Sequence, residues 1–214
     1  MVVIKWFGQA CVAIRRSDGY TIVIDPHAGG DIGLEKPDVK ADLVLVTHEH
    51  FDHNAVDTVS HSNTRILRVF RGETKINGIT IRGYKTFHDK FGGRRRGENT
   101  VYVVEVEGYK LAHLGDLGHI PGADVMDAIK GVDLLMIPVG GTYTIYPDEA
   151  WRIVEETKPV NVLPIHYWVR GLKLPLQPID DFLVHVKKYR IARLDTSEFE
   201  LGNYQNSVIV LRLK

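Results

Sequence analysis

Thr47-His48-Glu49-His50-Phe51-Asp52-His53 is the stretch on which the reading of this chain turns. It follows Leu43-Val44-Leu45-Val46, the apolar run of a predicted strand, Asp42–Thr47, that reads as buried on both faces. Four groups able to bind a metal (His48, His50, Asp52 and His53) fall within six residues. Side chains alternate along an extended segment, so His48, His50 and Asp52 share one side. A turn into the next element, a predicted short helix over Asn54–Ser60, brings His53 round to join them. Apolar packing calls for no such cluster. Imidazole and carboxylate donors without a thiolate suit zinc, manganese or iron.

Other candidate ligands are scattered: His88, His113, Asp116, His119 and His166. His113 and Asp116 stand near the end of a predicted strand, Tyr109–Leu114, and His166 follows another, Val160–Pro164. Sites in α/β sheets gather at the C-terminal ends of strands, so these residues are expected to share one edge. Strict alternation along Tyr109–Leu114 would turn His113 and Asp116 to opposite faces. His88 opens an irregular segment, Phe87–Asn99, and is free to turn inward. The spacing therefore favours His88 over His113 as the third imidazole, with His113 behind the ligands or in the core. His61 and His185 read as ordinary surface or helix residues.

The chain has 214 residues, with 27 Lys+Arg balanced by 27 Asp+Glu. Zero net charge removes the whole-chain electrostatic argument for a nucleic-acid or anionic-membrane partner. The length and the 44% hydrophobic content fit one domain over residues 1–214 with an ordinary core. Cys11 is the single cysteine, which excludes an internal disulfide and any cysteine-based metal cluster. With no secretory or membrane-spanning stretch, that composition leads us to expect a reducing, cytoplasmic setting.

The first half reads as strands: Val2–Phe7, Cys11–Arg15, Tyr20–Ile24, Asp42–Thr47, Ile66–Phe70 and Thr74–Tyr84. Turns are expected at Ser17-Asp18-Gly19, Arg71-Gly72 and Asn77-Gly78. Strands at Thr100–Val106 and Tyr109–Leu114 follow. Strands and helices then alternate: helices over Ala123–Lys130, Asp148–Lys158 and Ile179–Arg190, strands over Val132–Pro138, Val160–Pro164 and Ser207–Leu213. Antiparallel strands followed by such units predict layered α/β packing.

The His48-x-His50-x-Asp52-His53 pattern resembles the signature of the metallo-β-lactamase superfamily. Ile24-Asp25-Pro26 resembles the Asp-Pro that ends an early strand of that family, and Phe87-His88, Leu114-Gly115-Asp116, Pro138-Val139-Gly140-Gly141 and Pro164-Ile165-His166 resemble its later segments, in order and over nearly the whole chain. Within it, the likeness is to lactonase-like, uncharacterised metal-dependent hydrolases. The resemblance implies a four-layer αββα sandwich with two divalent metal ions, Zn2+ first and Mn2+ or Fe2+ as alternatives. By position, one ion would take His48, His50 and His88, the other Asp52, His53 and His166, with Asp116 bridging. Asp25 would orient a ligand imidazole from behind. Gly8-Gln9-Ala10 departs from the Gly-His-Ala or Gly-His-Ser of many relatives.

Such a centre activates water as a hydroxide and polarises the oxygen under attack. Asp52 and Asp116 would offset two of four positive charges and the hydroxide a third, leaving about one to attract an anionic substrate. Asp52 is thus expected to be catalytic as well as a ligand, with His119 as the proton donor to the leaving group. Arg94-Arg95-Arg96, with Tyr143, would recognise a phosphate or carboxylate on the substrate. The reading is a metal-dependent hydrolase of a small anionic phosphodiester, phosphate ester or lactone. Two alternatives stand beside it: a non-catalytic metal-binding scaffold, and a nuclease acting on RNA with a partner.

Overall fold

Along Leu43–Val46, alternate residues face opposite ways, yet all four are buried. Leu43 and Leu45 join one apolar cluster, and Val44 and Val46 another. A strand covered on both faces needs layers above and below it. The computed structural model describes residues 1–213 and supplies those layers.

The strands, in chain order, are β1 (Val3–Trp6), β2 (Val12–Arg15), β3 (Thr21–Ile24), β4 (Ala41–Val46), β5 (Ser60–Arg68), β6 (Gly72–Ile76) and β7 (Ile79–Phe87). They continue with β8 (Glu98–Val106), β9 (Tyr109–His113), β10 (Leu134–Pro138), β11 (Asn161–Ile165), β12 (Arg190–Leu194), β13 (Glu198–Glu200) and β14 (Ser207–Leu211). Among the described residues three α-helices, α1 (Ala123–Ala128), α2 (Pro147–Thr157) and α3 (Ile179–Leu183), fall in the second half. One sheet has the order β13-β1-β2-β3-β4-β5 and the other β12-β14-β11-β10-β9-β8-β7-β6. The fold is thus a mixed α/β sandwich of two sheets, as the resemblance implies.

Ile4, Trp6, Ile14, Ile22 and Leu43 from the first sheet meet Ile81, Tyr102, Val104 and Leu111 from the second in one cluster. Val125, Ala150, Trp151, Val154 and Phe182 of the helices extend the same cluster. The outer face of the first sheet is covered more thinly. Cys11, Ala13, Val23, Val44 and Val46 there pack with Val56 and Val59.

That thin cover corrects the predicted helix over Asn54–Ser60, where one 3-10 turn, Val56–Thr58, is found. Ser60 already belongs to β5, which runs through His61-Ser62-Asn63-Thr64 instead of starting at Ile66. β5 is an edge strand and mostly solvated, so it carries no apolar alternation to read. Thr74–Tyr84 folds at the expected Asn77-Gly78 turn into two antiparallel strands, β6 and β7. The predicted helix Ile179–Arg190 stops at Leu183. Lys188 has left-handed backbone, φ 65°, and Arg190–Leu194 pairs in parallel with β14. Among the described residues no helix is long and apolar enough to cross a membrane.

β3 and β4 are parallel, as are β9, β10 and β11. β7 is antiparallel to β8, and β8 to β9, so β7 runs with β9. The segments after β3, β4, β7, β9 and β11 carry Asp25, Thr47–His53, His88, Asp116 and His166. Tyr102 of β8 fastens the two sheets beside that edge, donating to Val46 O at 3.0 Å and accepting from Phe70 N at 2.9 Å.

Candidate metal centre

Asp25 underlies the construction. It is wholly buried and has left-handed backbone, φ 52°. Its Oδ1 accepts the Thr47 N–H at 2.8 Å, and its Oδ2 accepts the Thr47 hydroxyl at 2.6 Å. With that proton spent, Thr47 Oγ1 accepts from His48 Nδ1 at 2.9 Å. Asp25 Oδ2 also accepts from His53 Nδ1 at 3.2 Å. Both imidazoles therefore point Nδ1–H at these acceptors and turn Nε2 into the site, where it is the atom a cation would take.

The Nε2 atoms of four imidazoles converge on Asp116. Its Oδ2 lies 3.1 Å from His88 Nε2, 3.1 Å from His166 Nε2, 3.3 Å from His53 Nε2 and 3.8 Å from His48 Nε2. Asn99 holds this residue in place, its Oδ1 accepting the Asp116 N–H at 3.0 Å. The Asn99 amide in turn donates to Thr86 Oγ1 at 2.8 Å and Leu114 O at 2.9 Å. Gly115, with φ 54°, must lack a side chain here: a Cβ would lie 2.4 Å from Asn99 Oδ1.

The donor atoms of His48, His50 and His88 lie within 4.8 Å of one another, and so do those of Asp52, His53 and His166. Asp25, His48 and His53 form a third such group, but both Asp25 oxygens already accept hydrogen bonds. His48 Nε2, His53 Nε2 and Asp116 Oδ1 are buried and have no hydrogen-bond partner. Unpaired buried polar atoms each cost about 1–3 kcal/mol, so several meeting at one place require a common partner. Nitrogen and oxygen donors at this spacing fit divalent first-row cations.

The charges are tightly coupled. Burial and the neighbouring His53 push the His48 imidazole down to about 2. Burial works against a charged His53, but Asp116 and Asp52 outweigh it and hold His53 well above the usual range. Burial would raise Asp116, yet His166, His53 and His88 hold it far below the ordinary carboxylate. Asp52 is likewise depressed by His53 in spite of burial.

The other sequence candidates separate clearly. His113 Nε2 donates to Ala10 O at 2.8 Å, and its Nδ1 accepts from Gly115 N at 3.1 Å, so both nitrogens serve the backbone. His119 is engaged in the same way: Nδ1 donates to Ile120 O at 2.8 Å, and Nε2 accepts from Phe87 N at 3.2 Å. Held so, it has no free proton to give. Glu49 faces away, toward Arg68 at 2.9 Å and Asn54 at 3.0 Å. Phe51 is exposed between His50 and Asp52.

Arg94, Arg95 and Arg96 lie in the loop after His88, which closes through His88 N to Gly97 O at 3.1 Å. Asp89, unread in the sequence, is its hub. Its carboxylate accepts N–H bonds from Phe91 (2.7 Å), Gly93 (3.0 Å), Arg95 (2.9 Å) and Arg96 (2.8 Å). Burial would raise this carboxyl, but the four donors lower it to about 2. The Arg95 guanidinium stacks 4.0 Å from the Phe91 centroid, and Arg96 4.5 Å from that of Tyr143. Arg94 Nε donates to Phe91 O at 3.0 Å. Among the described residues none of the three guanidiniums pairs with a carboxylate.

Residues 3–166 match the family described as "Beta-lactamase superfamily domain". This chain belongs to the metallo-β-lactamase superfamily. A UPF0173 metal-dependent hydrolase of Thermococcus onnurineus is 30% identical over 192 residues, covering 78% of this chain and 85% of the relative. A proposed Zn-dependent hydrolase of the superfamily from Thermotoga maritima has a crystal structure with TM-score 0.76 and 34% identity, covering 99% of this chain and 100% of that one. A structure from Parabacteroides distasonis, TM-score 0.72 at 18% identity, covers 99% of this chain and 92% of its own and shares the fold.

Proposed function

We propose that this metal-dependent hydrolase of the metallo-β-lactamase superfamily uses two divalent cations to cleave a small anionic phosphodiester, phosphate ester or lactone. The observation that carries the reading is the set of Nε2 atoms gathered around Asp116 Oδ2. His48, His50 and His88 would hold one ion and Asp52, His53 and His166 the other, with Asp116 between. The zinc in the Thermotoga protein's description supports Zn2+ as the ion here, with Mn2+ or Fe2+ suited to the same donors. Bound cations of this kind lower the pKa of water toward neutrality and polarise the oxygen under attack.

The chain's own groups do the rest. Asp25 and Thr47 fix the tautomers of His48 and His53. The Gln9 amide donates to Asp52 Oδ2 at 2.7 Å and fixes the rotation of the carboxylate, so that Asp52 would both hold the ion and accept a hydrogen bond from the attacking water. Asp52 and Asp116 offset only two of four cationic charges, so an anionic substrate is favoured. The Arg95 and Arg96 guanidiniums, stacked on rings and without a carboxylate partner among the described residues, keep their N–H edges for a phosphate or carboxylate. We propose one domain over residues 1–214 in a reducing, cytoplasmic setting, in keeping with the buried, unpaired Cys11.

The test is hydrolysis of phosphodiester, phosphomonoester and lactone panels by metal-loaded protein, beside Asp116→Ala. Turnover of one class, lost in the variant, is the expected result. Metal-loaded protein inert toward all three would turn the reading toward a metal-binding scaffold. RNA carried through purification and cleaved would turn it toward a nuclease.

A further inference from the structure

Gln9 stands in the turn between β1 and β2, which is closed by Phe7 N to Cys11 O at 2.9 Å and Cys11 N to Gly8 O at 3.0 Å. A polar residue in such a turn ordinarily faces water. Gln9 is fully buried instead, and its backbone is left-handed, φ 50°. A non-glycine residue held there costs free energy and persists only where its surroundings over-determine it.

Three contacts do so. The side-chain Nε2 donates to Asp52 Oδ2 at 2.7 Å. The main-chain carbonyl accepts the His166 N–H at 2.9 Å and the Trp6 indole N–H at 2.9 Å. The amide cannot be turned over, because Oε1 would then meet Asp52 Oδ2 acceptor to acceptor. Oε1 is left buried without a partner, a cost that an apolar side chain of the same length would not carry. Gln9 thus bonds two of the three residues in the Asp52–His53–His166 group, Asp52 at its carboxylate and His166 at its main-chain N–H. Among the described residues, its hydrogen bonds reach none of the His48–His50–His88 group.

We propose that Gln9 is a positioning residue for one cation alone, the one assigned to Asp52, His53 and His166. Its amide sets the rotation of the Asp52 carboxylate, and its carbonyl sets the backbone from which His166 projects. The inference rests on the two-cation reading above.

The experiment is a competitive Zn2+ titration of the full chain against a chromophoric chelator, resolving two dissociation constants, with the melting temperature of the metal-stripped protein as a second readout. Gln9→Met keeps length and volume and removes the N–H donor. We expect it to weaken one ion by about 10–100-fold and leave the other within about twofold, with the metal-stripped melting temperature near wild type. In a His166→Ala background, Gln9→Met should leave the remaining ion's affinity unchanged. Two ions bound as in wild type, or both weakened alike with a fall in melting temperature, would overturn the inference while leaving the two-cation reading standing. A wild type that takes up fewer than two ions overturns both. If Gln9→Met does not fold, Gln9→Asn, whose shorter amide does not span the gap to Asp52, must show the same selective loss; unchanged affinity for both ions overturns the inference there too.

Discussion

Asp25→Asn is the substitution whose consequences can be worked furthest. Asp25 accepts three hydrogen bonds: Thr47 N–H on Oδ1, and the Thr47 hydroxyl and His53 Nδ1 on Oδ2. An asparagine keeps one acceptor. Placing its carbonyl where Oδ2 stands satisfies two donors and sets its NH2 against the Thr47 N–H. One bond to a charged acceptor is lost, worth about 1.5–3 kcal/mol, and a buried donor goes unpaired. We therefore expect the metal-stripped protein to lose about 2–4 kcal/mol. For a chain of this length that lowers the melting temperature by roughly 4–16 °C. The effect on metal should be two-sided. Asp25 orients His53 directly and His48 through Thr47, one ligand from each proposed set, so both ions should weaken by about 10–100-fold. Stepwise zinc titration and thermal melting of the stripped protein measure the two effects separately. Both ion affinities within twofold of wild type, or loss confined to one ion, would refute the reasoning.

Four further outcomes follow from the same geometry. Arg95→Ala with Arg96→Ala should raise KM for an anionic substrate about tenfold or more with kcat little changed, because the guanidiniums are proposed to bind and not to react; equal kinetics would remove them from the site. The Asp89 carboxyl is depressed to about 2 in the folded chain, below an unfolded value of about 3.9. Its hold on the 89–97 loop should be complete above pH about 4 and fade as pH falls toward 2, read by hydrogen exchange at the Arg95 and Arg96 amides; a loop that loosens as pH rises would contradict this. Gly140→Ala would set a Cβ 2.2 Å from His166 O, so it should cost about 1–3 kcal/mol and weaken the Asp52–His166 ion. Tyr102→Phe leaves Val46 O and Phe70 N without their shared hydroxyl and should cost about 1–3 kcal/mol by denaturant unfolding.

The central cluster was legible because its chemistry is local. Six consecutive residues, His48–His53, carry three imidazoles and two carboxylates, and no packing pattern asks for them. Asp116 and His166 were legible as polar residues near the ends of predicted strands, and His88 as the opening of an irregular segment. What decides between His88 and His113 is not in the spacing alone: His113 spends both nitrogens on Ala10 and Gly115, partners that exist only once β2 and β9 are packed. His119 looked available for the same reason, and its commitments to Phe87 and Ile120 arise from packing too. Asn99, Thr47 and Asp89 act through hydrogen bonds to backbone or hydroxyl groups, which leave no periodic trace. Gln9 left only a departure from a resembled motif. The misread elements have a common cause. β5 and β12 are sheet-edge strands with polar, exposed stretches. In Ile179–Arg190, the apolar spacing of Phe182, Val186 and Tyr189 suits a helix, but the helix ends at Leu183 and the chain turns at Lys188 before β12.

The most direct test is metal content by mass spectrometry of the purified chain, beside His48→Ala and Asp116→Ala. The account predicts about two divalent ions per wild-type chain. His48→Ala should lose one ion while the other is retained, and Asp116→Ala should weaken both. A wild-type chain that binds no divalent ion, even after incubation with zinc or manganese, would contradict it.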